Sequence, residues 1–220
     1  MEISYTEENY LKAIFKISEQ DGKPASTNAI SSEMNTSAAS VTDMIKRLSD
    51  KTLIHYERYR GVTLTKRGEQ IATHLIRKHR LWEVFLVDKL HFSWDEVHEI
   101  AEQLEHIKSQ RLVERLDEYL AFPKFDPHGD PIPDADGNFA IRKQALLMDF
   151  QPGEQGIVVG VQDHSTTFLQ YLDRMELVLG TPVELLEYFE YDESMRILIN
   201  QKREQVLSKK VCQNLFIQKR

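Results

Sequence analysis

Six histidines and glutamates stand at spacings suited to a divalent metal ion. His98, Glu102, Glu105 and His106 fall within VHEIAEQLEHI, Val97 to Ile107. On a helix they share an arc of roughly 100°, with Val97, Ile100, Ala101, Leu104 and Ile107 on the other side. His79 and Glu83 stand four residues apart in RKHRLWE, one turn of the preceding helical pattern, so packing the two helices can bring their polar faces together. Imidazole and carboxylate donors converging from neighbouring helices hold divalent transition ions. The competing reading is a solvated acidic face, the commoner case for one helix alone; pairing the two helices brings metal binding level with it. A metallohydrolase would use the same residue types to activate water, but it has no need of a basic recognition helix.

The elements that must position these residues are legible in order. Ser4 and Glu7 have capping-box spacing ahead of a helical period that breaks at Asp21-Gly22-Lys23-Pro24. Ser26-Thr27-Asn28 caps a short second helix through Met34, and Asn35-Thr36-Ser37 caps a third, with Val41, Met44, Ile45 and Leu48 on one face. LIHYERYRGVTLT reads as two strands turning at Arg60-Gly61, which completes a winged helix-turn-helix. A long helix runs from Thr65 to about Leu90, Ser93 to Glu96 forms a capping box for the metal-bearing helix, and Gln110 to Leu120 forms another. The apolar surface of these three helices predicts a helical dimer interface. Pro123 to Phe139 holds four of the seven prolines and reads as a linker. Its Asp134-Ala135-Asp136-Gly137 imitates a calcium loop, but Ile132 and Lys143 occupy the positions that need acids, which rejects an EF-hand. From about Gln144 short β-like segments punctuated by glycines predict a small β-barrel. The expected fold is mainly α with small β parts: a winged helix-turn-helix over 1–72, a helical metal-binding and dimerisation domain over 73–122, a Pro-rich linker over 123–143 and an SH3-like barrel over 144–220.

In a helix-turn-helix the first turns of the third helix meet base edges, which points to Ser37, Ala39, Ser40 and Asp43. Thr42, Lys46, Arg47 and Arg60 suit phosphate, with Thr27 joining them from the second helix; Asp43 either reads cytosine or orients Lys46 or Arg47. The net charge of −7 hides an asymmetry that agrees: Lys23 to Arg80 has eleven basic residues against five acidic, whereas Leu81 to Ala140 has fourteen acidic against five basic. A nucleic-acid reader joined to a part that handles cations is the function class this favours. The single cysteine, Cys212, excludes internal disulfides and a Cys-rich zinc site. With no signal-peptide core and no apolar run of membrane length, the expectation is a soluble, cytoplasmic protein without a membrane partner.

RKHRLWE and VHEIAEQLEHI, between a winged helix-turn-helix and a PHGDPIP segment, resemble the diphtheria toxin repressor family of metal-dependent transcriptional regulators. The resemblance spans almost the whole chain. It implies a homodimer, not an enzyme, that binds operator DNA and represses metal-uptake genes when loaded with Fe(II) or Mn(II). Carried over by position, it implies one site from His79, Glu83 and His98, and another from Glu102, Glu105 and His106 with Asn9 of helix one. It further implies that Asp163 or His164 of the C-terminal part adds a ligand to the first site. Glu102, where the iron-responsive branch has cysteine, implies the manganese type, and a hard oxygen donor disfavours thiophilic metals independently. Asn9 departs from the family's usual Met or Asp, Lys12 from the Glu of some manganese sensors, and Glu8 is a nearby substitute donor. Metal would act as a clamp that holds two reading heads about 34 Å apart, the spacing of successive major grooves. The rival from another class is a metal-independent winged-helix regulator sensing an organic ligand in an apolar dimer pocket.

Overall fold

A computed structural model describes residues 3–220 of the chain, as two compact units. The first takes the residues up to His79 together with Glu102–Gln110 and Pro133–Phe139; the second takes Arg80–Ala101, Arg111–Ile132 and Ala140–Arg220.

In the first unit, helix α1 (Tyr5–Asp21) opens on the predicted capping box, Ser4 and Glu7 each bonding the other's backbone N–H, and ends at Gly22, whose φ of 61° is the left-handed conformation that glycine adopts without strain. Ser26 caps α2 (Thr27–Glu33) and Ser37 caps α3 (Ala38–Asp50), each side chain accepting a backbone N–H of the first turn. Strands β1 (Ile54–Glu57) and β2 (Gly61–Leu64) pair antiparallel as a wing. Leu11, Ile14, Ile30, Val41, Ile45, Leu48, Leu53 and Val62 form its core, and the helical period that predicted the helices is the period of that burial. Thr65 leads into α4 (Lys66–Leu90).

Helix α5 (Val97–Leu104) follows, and α6 (Gln110–Tyr119) after it. The metal-bearing helix expected to reach Ile107 therefore ends at Leu104, and Glu105 and His106 lie in the turn beyond it. The Ser93–Glu96 bonds exist at 3.1 and 2.7 Å, but they brace the turn before α5, since the helix itself begins at Val97.

The segment read as a linker is folded. Phe125 bridges Pro131, Asp126 accepts the backbone N–H groups of His128 and Asp130 at 2.9 and 3.0 Å, and Ile132 is buried with Leu81, Val84, Val113 and Leu116. Prolines here stiffen a turn instead of loosening a connection. Gly129, at φ +89°, packs so closely on the Val159 carbonyl that a Cβ would collide with it.

The C-terminal part of the second unit is a six-stranded antiparallel sheet in the order β3-β8-β4-β5-β6-β7, with β3 Ala145–Leu146, β4 Gln155–Val161, β5 Pro182–Phe189, β6 Ser194–Ile199, β7 Arg203–Leu207 and β8 Leu215–Lys219. Val158, Leu185, Ile197 and Ile217 alternate into its core. Helices α7 (Thr166–Arg174) and α8 (Lys209–Cys212) interrupt what the sequence suggested was β structure alone. Phe168, Leu169 and Leu172 of α7 are buried in the same core, and their spacing carries a helical signal. Among the described residues no helix is long and apolar enough to cross a membrane.

Candidate metal centre and nucleic-acid interface

The predicted ligands separate into two groups. Glu83 anchors the first. It lies in the middle of α4, 2% exposed, and its Oε1 stands 3.4 Å from Nδ1 of His98 in the first turn of α5. His79 is buried one helical turn earlier on α4, so the helix itself carries it to the same side as Glu83. Glu83 and His79 are buried and His98 is partly exposed, and imidazole and carboxylate donors of this kind suit a divalent transition ion.

The sequence reading missed what lies behind Glu83. Its Oε2 is 3.7 Å from Nδ1 of His128, and Glu83, Asp126 and His128, all buried, each offer a donor atom within 4.8 Å of the others. Burial alone would lower the His128 pKa, but the hydrogen bond and charge of Glu83, with Asp126, push it up to about 9. Burial first, then the charges of Glu83 and Asp130, push the Asp126 carboxyl well above its ordinary value against the pull of Arg80. Arg80 reaches Asp126 at 3.4 Å and Asp130 at 2.8 Å and donates to the Pro131 carbonyl. Nε2 of His128 is 2.8 Å from the Trp94 carbonyl, so this ring is held by the fold on both nitrogens. The signal that could have found this cluster is FDPHGDPIP, in which a histidine and two aspartates alternate with prolines.

Of the two C-terminal candidates, His164 stacks on His128 with ring centroids 4.8 Å apart, and burial holds its pKa below the usual histidine value. Asp163 is occupied in its own turn, accepting the Ser165 N–H at 2.8 Å.

The second group lies in the first unit. Glu105 is 0% exposed, and Nδ1 of His79 donates to its Oε2 at 2.5 Å. Lys12 of α1 places Nζ 2.7 Å from each Glu105 oxygen and 3.8 Å from Glu102, whose side chain is half exposed. Burial raises the Glu105 pKa, but the His79 hydrogen bond and the Lys12 charge outweigh it and hold the carboxyl below its usual range. His106 lies 2.7 Å from Glu8 and 3.8 Å from Glu105, with Tyr5 stacked on its ring. The Asn9 side-chain oxygen is buried without a hydrogen-bond partner.

The recognition face is open to solvent. Ser37, Ala39, Ser40, Thr42, Asp43, Lys46 and Arg47 are exposed along the start and outer face of α3, Arg60 is exposed at the wing, and Thr27 is half-buried at the start of α2. Lys46 lies 3.4 Å from Asp43, an exposed pair that leaves the ammonium at the surface and gives Asp43 an orienting part. Arg60 pairs in the same way with Glu57 at 3.0 Å.

Comparisons with known proteins find a family for three stretches of the chain. Residues 2–62 match the family model described as iron dependent repressor, N-terminal DNA binding domain; residues 65–134 match its metal binding and dimerisation domain; residues 145–219 match a FeoA domain. The iron-dependent repressor IdeR of Mycobacterium tuberculosis is 33% identical over 132 residues, 60% of this chain and 57% of that protein, so the chain spans little more than half the length of that relative. A manganese-dependent transcriptional repressor solved in complex with manganese superposes with a TM-score of 0.87 at 32% identity, covering 97% of this chain and 100% of the other. The manganese regulator SloR gives 0.75 at 34% identity, covering 97% and 98%. With matching models along nearly its whole length and a full-length structural relative above 30% identity, the chain belongs to the iron-dependent repressor family.

Proposed function

We propose that the chain is a homodimeric, metal-dependent transcriptional repressor, not an enzyme, which binds operator DNA of metal-homeostasis genes when Mn(II), or secondarily Fe(II), is held by His79, Glu83 and His98. The observation that carries this reading is the approach of His98 on α5 to the buried Glu83 on α4, one turn after His79, in a chain whose α3 presents an exposed basic and small-residue face. His164, stacked on His128 behind Glu83, is the better placed of the two C-terminal candidates; Asp163 would first have to leave its turn.

Bound there, a divalent ion would supply positive charge joining α4 to α5. The residues do the rest. Glu83 contributes the anion, buried where the attraction to a cation is strong. His79 and His98 contribute neutral nitrogen donors, and Glu105 fixes the His79 tautomer by accepting its Nδ1 proton. Ser37, Ala39 and Ser40 approach base edges, while Lys46, Arg47 and Arg60 take phosphates. Trp82, Phe85, Tyr119 and Phe122 offer apolar surface for the second protomer, Tyr119 and Phe122 being 64% and 57% exposed.

Operator-length DNA binding measured with Mn(II), Fe(II), Zn(II) and EDTA tests the proposal. Affinity should rise at least tenfold with Mn(II) over EDTA, and His98→Ala should abolish the rise. The metal response should weaken as pH falls from 7.5 towards about 6, because a histidine must be neutral to ligate and its ordinary pKa lies near 6.5. Equal affinity with Mn(II) and EDTA would sink the reading in favour of an organic-ligand sensor.

A further inference from the structure

The group formed by Glu102, Glu105 and His106 already contains a cation. The Lys12 ammonium spends two of its three N–H donors on the two oxygens of Glu105, at 2.7 Å each, and its charge lies 3.8 Å from Glu102. Lys12 is 7% exposed and Glu105 0%, so this pair is interior. A divalent ion bound to the same carboxylates would have to stand against that ammonium, a repulsion that is strong where water is excluded. Asn9 supplies a neutral amide and so adds no negative charge to offset two cations. Its side-chain oxygen is buried without a hydrogen-bond partner. Glu8 does not make up the deficit, since its carboxylate is taken by His106 at 2.7 Å.

Glu105 meanwhile faces away from any ligand role of its own. Its Oε2 accepts both from Lys12 and from Nδ1 of His79. An imidazole that gives its Nδ1 proton to a carboxylate is fixed in one tautomer and made a better donor at its other nitrogen, which is how carboxylates behind metal-binding histidines act.

We propose that Lys12 is a tethered cation standing in place of a metal ion, which holds α1 to the Glu102–Gln110 segment with or without metal, and that Glu105 is a positioning residue for His79 instead of a ligand. This rests on the reading that His79, Glu83 and His98 hold the regulatory ion. In this chain one arm of the clamp is permanently closed by the lysine, and metal control is concentrated at the other.

Counting Mn(II) per protomer on the full chain, by equilibrium dialysis with electron paramagnetic resonance of the free ion, tests it. Wild type and Lys12→Arg should each bind one ion. Lys12→Met should bind two, because loss of the ammonium frees Glu102, Glu105, His106 and the Asn9 oxygen to act together. Its thermal midpoint in EDTA should fall, since the buried Glu105 loses the ammonium that meets both its oxygens and keeps only His79, and Mn(II) should restore it. Glu105→Gln should keep one ion but shift the visible bands of bound Co(II), because His79 loses a charged partner; unchanged bands overturn the positioning role. Two ions in wild type, or no second ion in folded Lys12→Met, overturn the tethered cation while leaving the regulatory-site reading intact. No ion in wild type with one in Lys12→Met does the reverse.

Discussion

Glu7 illustrates how one side chain can serve two levels of structure. It closes the capping box of α1 with Ser4, and its carboxylate meets Lys51 at the C-terminal end of α3 at 2.7 Å. Burial raises its pKa, but the Lys51 and Ser4 hydrogen bonds outweigh that and leave it below 4.5. A depressed carboxylate contributes stability that is present above the unfolded value of 4.5 and is lost as pH falls through the lower folded value. Glu7→Gln should therefore lower stability by about 1 kcal/mol at pH 7, a fall of roughly 2–4 °C in a chain of this size. The difference from wild type should shrink below pH 4.5 in thermal melts, and a difference independent of pH would sink the account. The capping half of this was legible as a spacing of three residues. The pairing with Lys51, like that of Lys12 with Glu105, joins residues 44 and 93 positions apart, and no local pattern announces it.

At the scale of elements, α3 and α5 behaved differently under the same periodic reading. Helix α3 obeyed it because Val41, Ile45 and Leu48 face one core and the opposite face meets only solvent. Its exposed cations then follow a simple rule: Lys46→Ala should weaken DNA binding about equally for operator and unrelated sequences and reduce the slope of log affinity against log salt by about 1. A loss confined to the operator would instead make Lys46 a base reader. Helix α5 departed from the reading, since the period of VHEIAEQLEHI continues to Ile107 whereas the helix stops at Leu104. The turn beyond it carries Glu105 inward, to 0% exposure, where Lys12 and His79 repay the cost of burying a carboxylate. Tertiary partners thus overrode a local preference, which is the usual way such a pattern fails.

For the whole molecule, the two compact units differ in what they expose. The first presents charged and small polar residues on α3 and the wing; the second leaves Leu90, Tyr119 and Phe122 in solvent, Tyr119 against the half-buried Phe85 that Trp82 meets edge-on. Apolar side chains on that scale favour a second copy of the chain as their cover. Phe122→Glu should shift sedimentation from dimer towards monomer and weaken DNA binding in parallel, since two half-sites then act independently. A monomeric variant with undiminished operator affinity would argue that the dimer is not the reading form.

The sequence by itself determined the winged helix-turn-helix, the spacing of His79 and Glu83 and the choice of oxygen and imidazole donors, because helical period, capping residues and donor chemistry are all local properties. Only the tertiary structure decided that PHGDPIP is packed behind Glu83, that α7 interrupts the sheet, and that an ammonium occupies the carboxylates of the second group. The first and third of these depend on which distant charges burial forces together, and the second on the burial of Phe168, Leu169 and Leu172 in the sheet's core. A buried carboxylate takes whatever cation the fold brings to it, and in this chain, at Glu105, the fold brings Lys12.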